Sequence, residues 1–165
     1  MKICRVRHGP AGEAGPDYPD DRLRPLTAEG REAMELAARG LALLVTPRVV
    51  ISSPLVRAMQ TAEIVARAWG TEAEAWEGSP WGGFDQLLAG MASRGADQVV
   101  AFVGHAPSLG EFASYLLTGD PDAAAFAVKK GAALLLDGQG EPASFELVWS
   151  IPPGALRRIA ASTGQ

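Results

Sequence analysis

Short, nearly continuous apolar runs alternate along this chain with stretches of helical periodicity, and that alternation limits the folds open to it. Lys2 to Arg7, Arg48 to Ser52, Gln98 to Val103, Ala132 to Leu136 and Phe145 to Ser150 are mostly β-branched or apolar. Each is bounded by Gly, Pro or Ser and reads as a strand. Thr27 is placed to cap a helix in which Ala33, Leu36, Ala37, Gly40 and Leu44 recur at helical spacing. A second helix is predicted to start at Pro54, where a missing N–H costs nothing, and to carry Leu55, Met59, Ala62 and Val65 inward. Further helical pieces are expected around Phe84 to Met91, over Ser108 to Leu117 with Leu109, Phe112, Ala113 and Leu116 inward, and over Pro152 to Ala161. Strands apolar on both faces belong to parallel sheets covered by helices on each side. Asp137 to Pro142 is too short and turn-rich for a crossover, so the last two strands should form a hairpin and make the sheet mixed. The expected fold is α/β: one domain over residues 1–165, with a mixed, mostly parallel sheet flanked by helices on both faces.

Hydrophobic residues make up 47% of the chain, enough for a buried core, and charged residues 21%, too few for a disordered one. A formal net charge of −4 removes the basic face expected of a nucleic-acid protein, so any anion site must be local. Leu41 to Val45 and Ala132 to Leu136, among the longest apolar runs, are far too short to cross a bilayer. One cysteine, Cys4, cannot form an internal disulfide and reads as a small core residue of the first strand. Met1 to Val6 reads as strand rather than leader, and the cytoplasm is the expected location. Pro10 to Pro25 is the one long irregular loop, a length often tied to function.

Three expected strands end in groups suited to a phosphate dianion. The first ends in Arg7-His8-Gly9, the second in Ser52-Ser53-Pro54 with Arg57 one helical turn later, and the third in Gly104-His105. Ligands of open α/β sheets sit outside the carboxyl ends of strands, so these ends should surround one crevice. The chain has two histidines, each directly after an apolar strand and beside a glycine. A lone histidine is ordinarily a satisfied core or surface residue; two in equivalent positions, with arginines close by, read as a site. Arg7 and Arg57 can each present forked donors to phosphate oxygens. His8 suits the nucleophile, because neighbouring arginines favour its neutral imidazole, and His105 would face it across the phosphate as a donor. Such a pocket needs no cofactor and no metal, and two histidines with one cysteine do not make a zinc site.

Val6-Arg7-His8-Gly9 resembles the signature of the histidine phosphatase superfamily. Arg24-Pro25-Leu26-Thr27-Ala28-Glu29-Gly30 is similar to the following segment in its short, SixA-type phosphohistidine phosphatase branch. The run from Ser52 to Ala62 and Val103-Gly104-His105-Ala106-Pro107 match the family's second and third blocks, and Lys129 to Ala132 and Ile151-Pro152-Pro153 resemble later ones. The resemblance spans essentially the whole chain in the family's order. It implies a phosphoglycerate mutase-like fold, phosphorylation of His8, and a phosphate pocket of Arg7, Arg57 and His105, with Ser53 assisting and Arg24 at the rim. Mutases of the family tend to carry Asn where this chain has Ala14, and their long capping insertion has no room here, so a mutase is not expected. Relatives that cleave phosphoesters usually supply a carboxylic acid; the candidate is Glu77, with Asp85 behind it, against the plainer reading of a surface carboxylate. A P–N bond asks less of such an acid, because imidazole leaves and is easily protonated near neutral pH.

The expected activity is therefore metal-independent phosphate hydrolysis through His8, on phosphohistidine in a phosphocarrier or phosphorelay protein or on a small phosphoester. The loop acids Glu13, Asp17, Asp20 and Asp21 weigh slightly against highly anionic small substrates. A non-catalytic phosphate- or phosphopeptide-binding module is the alternative. No nucleic-acid or membrane partner is expected. Pro10 stands where a cysteine-dependent phosphatase would need its arginine after Cys4, and neither a serine-hydrolase elbow nor a triphosphate-binding loop is present. Trp69, Trp76 and Trp81 are available for a wall near the site, although packing between the second and third helices is their ordinary use.

Overall fold

The computed structural model describes residues 1–78, 83–95 and 98–162. Among them the strands are β1 (Lys2–Arg7), β2 (Val49–Ser52), β3 (Ala73–Ala75), β4 (Val99–Gly104), β5 (Ala133–Gly138) and β6 (Phe145–Ile151). The helices are α1 (Ala28–Ala42), α2 (Val56–Trp69), α3 (Phe84–Gly95), α4 (Ser108–Thr118) and α5 (Pro153–Ser162), with a 3-10 turn at Asp21–Leu23. One mixed sheet holds all six strands in the order β3-β2-β4-β1-β5-β6. β1 pairs in parallel with β4, with Arg7 opposite Gly104, and β4 pairs in parallel with β2, with Val103 opposite Ser52. β5 joins β1 antiparallel and forms the expected hairpin with β6.

Period-two alternation divides the core between the two faces of the sheet. Cys4 and Val6 of β1 face the layer that includes α1, α2 and α5, packing with Met34, Leu41, Val65 and Leu156. Ile3 belongs to the layer that includes α3 and α4, with Phe102, Leu88, Met91, Leu109 and Phe112. The four residues expected inward on α4, Leu109, Phe112, Ala113 and Leu116, are fully buried. Thr27 caps α1 as expected, its hydroxyl accepting from the Gly30 N–H at 2.9 Å.

Three local readings need correction. α2 begins at Val56 rather than Pro54, because Ser53 first turns the chain, its Oγ accepting weakly from the Leu55 N–H at 3.4 Å. Its buried face runs through Ala58, Thr61, Ala62 and Val65, leaving Met59 half-buried. α1 turns Leu36 outward and buries Gly30, Met34, Ala37, Ala38, Gly40 and Leu41, and it ends before Leu44, which is exposed in the turn that follows. Small residues on that face let neighbouring backbone approach closely. β3, Ala-Glu-Ala, was not expected from sequence, for so short an edge strand has no apolar run to announce it. Among the described residues no helix is long and apolar enough to cross a membrane. Trp69 is buried and Trp76 half-buried; Trp81 lies outside the described residues.

α5 approaches α1 closely at Gly40, where an added Cβ would sit 1.9 Å from the Leu156 carbonyl oxygen. Gly40→Ala gains about 1 kcal/mol of helix propensity but forces two helices apart, an overpacking cost of about 1–3 kcal/mol. A lowered urea midpoint is the expected outcome; a raised one would show that α5 yields without cost.

Candidate active site

Parallel pairing brings three strand ends to one edge of the sheet. The ladder runs past β1, with the His8 N–H donating to the Gly104 carbonyl at 3.0 Å, and past β2, with the Ser53 N–H donating to the Val103 carbonyl at 2.9 Å. His8 and His105 therefore meet, ring centroids 5.0 Å apart and planes tilted by 50°. His8, His105, Arg57 and Ser53 are buried, and Arg7 is half-buried.

The tautomer of His8 follows from its partner. Nδ1 lies 2.7 Å from the Gly9 carbonyl oxygen, which can only accept, so Nδ1 carries the proton and Nε2 keeps its lone pair. Gly9 is held in turn: its N–H donates to Thr61 Oγ1 at 3.0 Å, and the Thr61 hydroxyl donates to the Arg57 carbonyl at 2.7 Å. Thr61 thus ties α2 to the turn carrying His8. Sequence reasoning passed over it, although its place one helical turn after Arg57 was the available signal. Nε2 of His105 lies 2.9 Å from Ser53 Oγ.

Arg57 donates from Nη1 to the Asp21 carbonyl at 2.8 Å and from Nη2 to Asp21 Oδ2 at 2.9 Å. Arg24 donates from Nε to the other oxygen of that carboxylate at 2.8 Å and from Nη1 to the Gly12 carbonyl at 2.7 Å. The long loop is thereby folded back over the site, and Arg24 stands beside the cluster through the Asp21 carboxylate it shares with Arg57. Arg7 donates from Nη1 to the Val128 carbonyl at 2.6 Å. The Nε donors of both Arg7 and Arg57 are buried without partners among the described residues. Beside Arg7 opens a cleft of about 630 Å³ lined by Ala106, Pro107, Gly110, Phe126 and Val128, largely apolar.

Glu77 stands apart. It is exposed, one residue beyond the Trp76 N–H that donates to the Ser52 carbonyl, and lines a separate cavity of about 680 Å³ with Glu74, Gln86 and Arg94. Asp85 accepts a hydrogen bond from the Tyr115 hydroxyl.

Burial pushes the His8 pKa down to about 4; the bond to Gly9 opposes this, and the charges of Arg57, Arg7 and Lys130 add to it. Burial likewise takes His105 down to about 3, helped by His8 and Arg57. Hydrogen bonding from Arg24, with the charge and bonding of Arg57, holds the Asp21 carboxyl below its ordinary range and so ionised. Two imidazoles biased toward their neutral forms, buried guanidinium Nε donors and the Nε2 lone pair of His8 are thereby gathered at one edge of the sheet.

Residues 3–78 match the family model described as histidine phosphatase superfamily, branch 1. An uncharacterized protein of Picosynechococcus sp. is 37% identical over 124 residues, spanning 72% of this chain and 74% of that one. The solved structure of the protein histidine phosphatase SixA complexed with tungstate superposes with a TM-score of 0.79 at 24% identity, covering 94% of this chain and 99% of that one. A phosphoserine phosphatase variant of Entamoeba histolytica, solved with phosphoserine, shares the fold at a TM-score of 0.67 and 15% identity, covering 94% and 98%. The superfamily match indicates a phosphohydrolase. The chain belongs to the histidine phosphatase superfamily.

Both folded-state pKa values lie below the ordinary 6.5 of histidine, so unfolding takes up protons between about pH 4 and 6.5. Stability is full above 6.5 and drains as pH falls, by up to about 1.4 kcal/mol per pH unit for each ring. The urea midpoint should climb from pH 4.5 to 7, and the slope should flatten in a His8→Asn/His105→Asn double variant. An unchanged slope would mean that the rings are not held neutral by the fold.

Proposed function

We propose that this protein is a phosphatase that moves the phosphoryl group of a protein phosphohistidine onto Nε2 of His8 and then to water. The observation that carries this reading is the fixed tautomer: Nδ1 committed to Gly9, with a second buried imidazole 5.0 Å away and two arginines beside them. In the first step the Nε2 lone pair attacks phosphorus, a P–Nε2 bond forms, and the substrate's P–N bond breaks, its electron pair leaving with the substrate imidazole. In the second, water attacks phosphorus, the P–Nε2 bond breaks, and inorganic phosphate departs with the water oxygen. Arg7, Arg57 and His105 supply donors to the equatorial oxygens, where charge accumulates. Ser53 supports His105, and Arg24 supports Arg57 through the carboxylate they share.

The substrate class is inferred from the available acids. Asp21 is the carboxylate that the described residues place against the pocket arginines, and its two ion pairs keep it ionised, so it is unsuited to protonating a leaving alkoxide. Glu77 lines a different cavity. A leaving imidazole needs no such donor, which favours a P–N substrate. The similarity to a solved protein histidine phosphatase agrees with that choice, and the open apolar cleft beside Arg7 gives the polypeptide around a phosphohistidine somewhere to lie.

Incubation with a phosphorylated histidine carrier protein and quenching in alkali should trap acid-labile phosphate on His8. His8→Ala should lose the trapped phosphate and at least about a thousandfold in turnover. Small phosphoesters turning over faster than the carrier, with loss of that activity in Glu77→Gln, would replace the substrate assigned here. Binding without hydrolysis of either class would make the chain a phosphate-binding module.

A further inference from the structure

Arg5 is the largest fully buried side chain among the described residues, 1% exposed at the centre of β1. Its Nε and Nη1 have no hydrogen-bond partner among the described residues. It is sandwiched between aromatic rings, the guanidinium carbon 4.2 Å from the Phe112 centroid and 5.4 Å from that of Phe102. The π faces offset part of the lost hydration but bring no net negative charge. Burial pushes its pKa well down from the arginine range, yet a guanidinium keeps its proton in proteins. The result is a buried cation without a counter-ion among the described residues, an arrangement that favours unfolding unless an anion arrives.

The position says where that anion would be. Arg5 precedes Arg7 on the same face of β1. A cavity of about 10 Å³, the size of a single water, is walled jointly by Arg5, Phe102, Ser53, His105 and Ser108. The guanidinium and the inner side of the phosphate pocket are thus separated by side chains and at most one water, a medium that screens charge poorly.

We propose that Arg5 is an electrostatic positioning residue whose counter-ion is the phosphoryl dianion in the active site, acting through His105 and Ser53 from the interior of the sheet. This rests on the phosphate-pocket reading above. Arg5 touches no substrate; it raises the potential at the site. The fold carries an unsatisfied charge in the free state and is relieved when a doubly charged oxyanion binds.

The test uses tungstate and perrhenate, tetrahedral oxyanions of similar size carrying two charges and one. Calorimetric affinities are measured for the wild type, Arg5→Met, Arg5→Lys and Arg57→Ala. Arg5→Met should raise the melting temperature of the free protein. It should weaken tungstate roughly tenfold, the scale of one charge acting across several ångströms of protein interior, and perrhenate only about threefold. Arg5→Lys should restore much of the difference. Should Arg5→Met not fold, Arg5→Gln, which keeps a polar head without the charge, gives the same comparison. Equal loss for both anions would mark Arg5 as a packing residue, and no loss for either would overturn the proposal while leaving the pocket intact. Tungstate failing to bind wild type, or binding Arg57→Ala unchanged, would instead overturn the pocket reading, and the role of Arg5 with it.

Discussion

Everything in the site depends on the parallel pairing of β1, β4 and β2. Because all three strands run the same way and in register, their last residues are laid side by side at one edge, and the ladder continues one bond beyond β1 and β2. Residues separated by about half the chain are placed by backbone hydrogen bonds before any side-chain contact forms. Slipping β4 by a single residue against β1 would turn its side chains to the opposite faces and leave His8 facing a glycine.

Given that frame, the pocket is governed by desolvation and local positive charge. A chain with net charge −4 nevertheless gathers Arg7, Arg57 and Arg24 around two buried imidazoles, with Asp21 bonded to two of the three guanidiniums. Histidine in this setting cannot easily be protonated, which suits the proposed roles of one ring as nucleophile and the other as neutral donor. Arg5 adds to the same imbalance from within the sheet.

Much of this was legible in the sequence, because strand and helix patterns are local and the strand-terminal motifs sit at pattern boundaries. The sheet, its mixed character, the inward face of α4 and the meeting of His8 with His105 could all be argued from the residues. What could not be read arises from contacts between distant elements. Thr61 looks like any helical threonine until Gly9 is brought against it. Asp21 sits in an irregular acidic loop, and only the fold-back of that loop shows that it occupies Arg57. The inward turn of α1 follows from how closely α5 approaches, which no periodicity encodes. Arg5 interrupts an apolar strand at a position where sequence pattern offers no partner, and the two phenylalanines that enclose it come from different elements.

The bond from His8 to the Gly9 carbonyl has an effect that outlasts the first chemical step of the proposed reaction. A carbonyl oxygen cannot take the Nδ1 proton away, so once phosphorus is bonded to the opposite nitrogen the ring is left cationic. When the P–Nε2 bond of such a ring breaks, neutral imidazole departs, a far better leaving group than the imidazolate that a ring lacking the Nδ1 proton would have to release. In the proposed reaction, the contact that aims the ring at its substrate therefore also shortens the life of the covalent adduct.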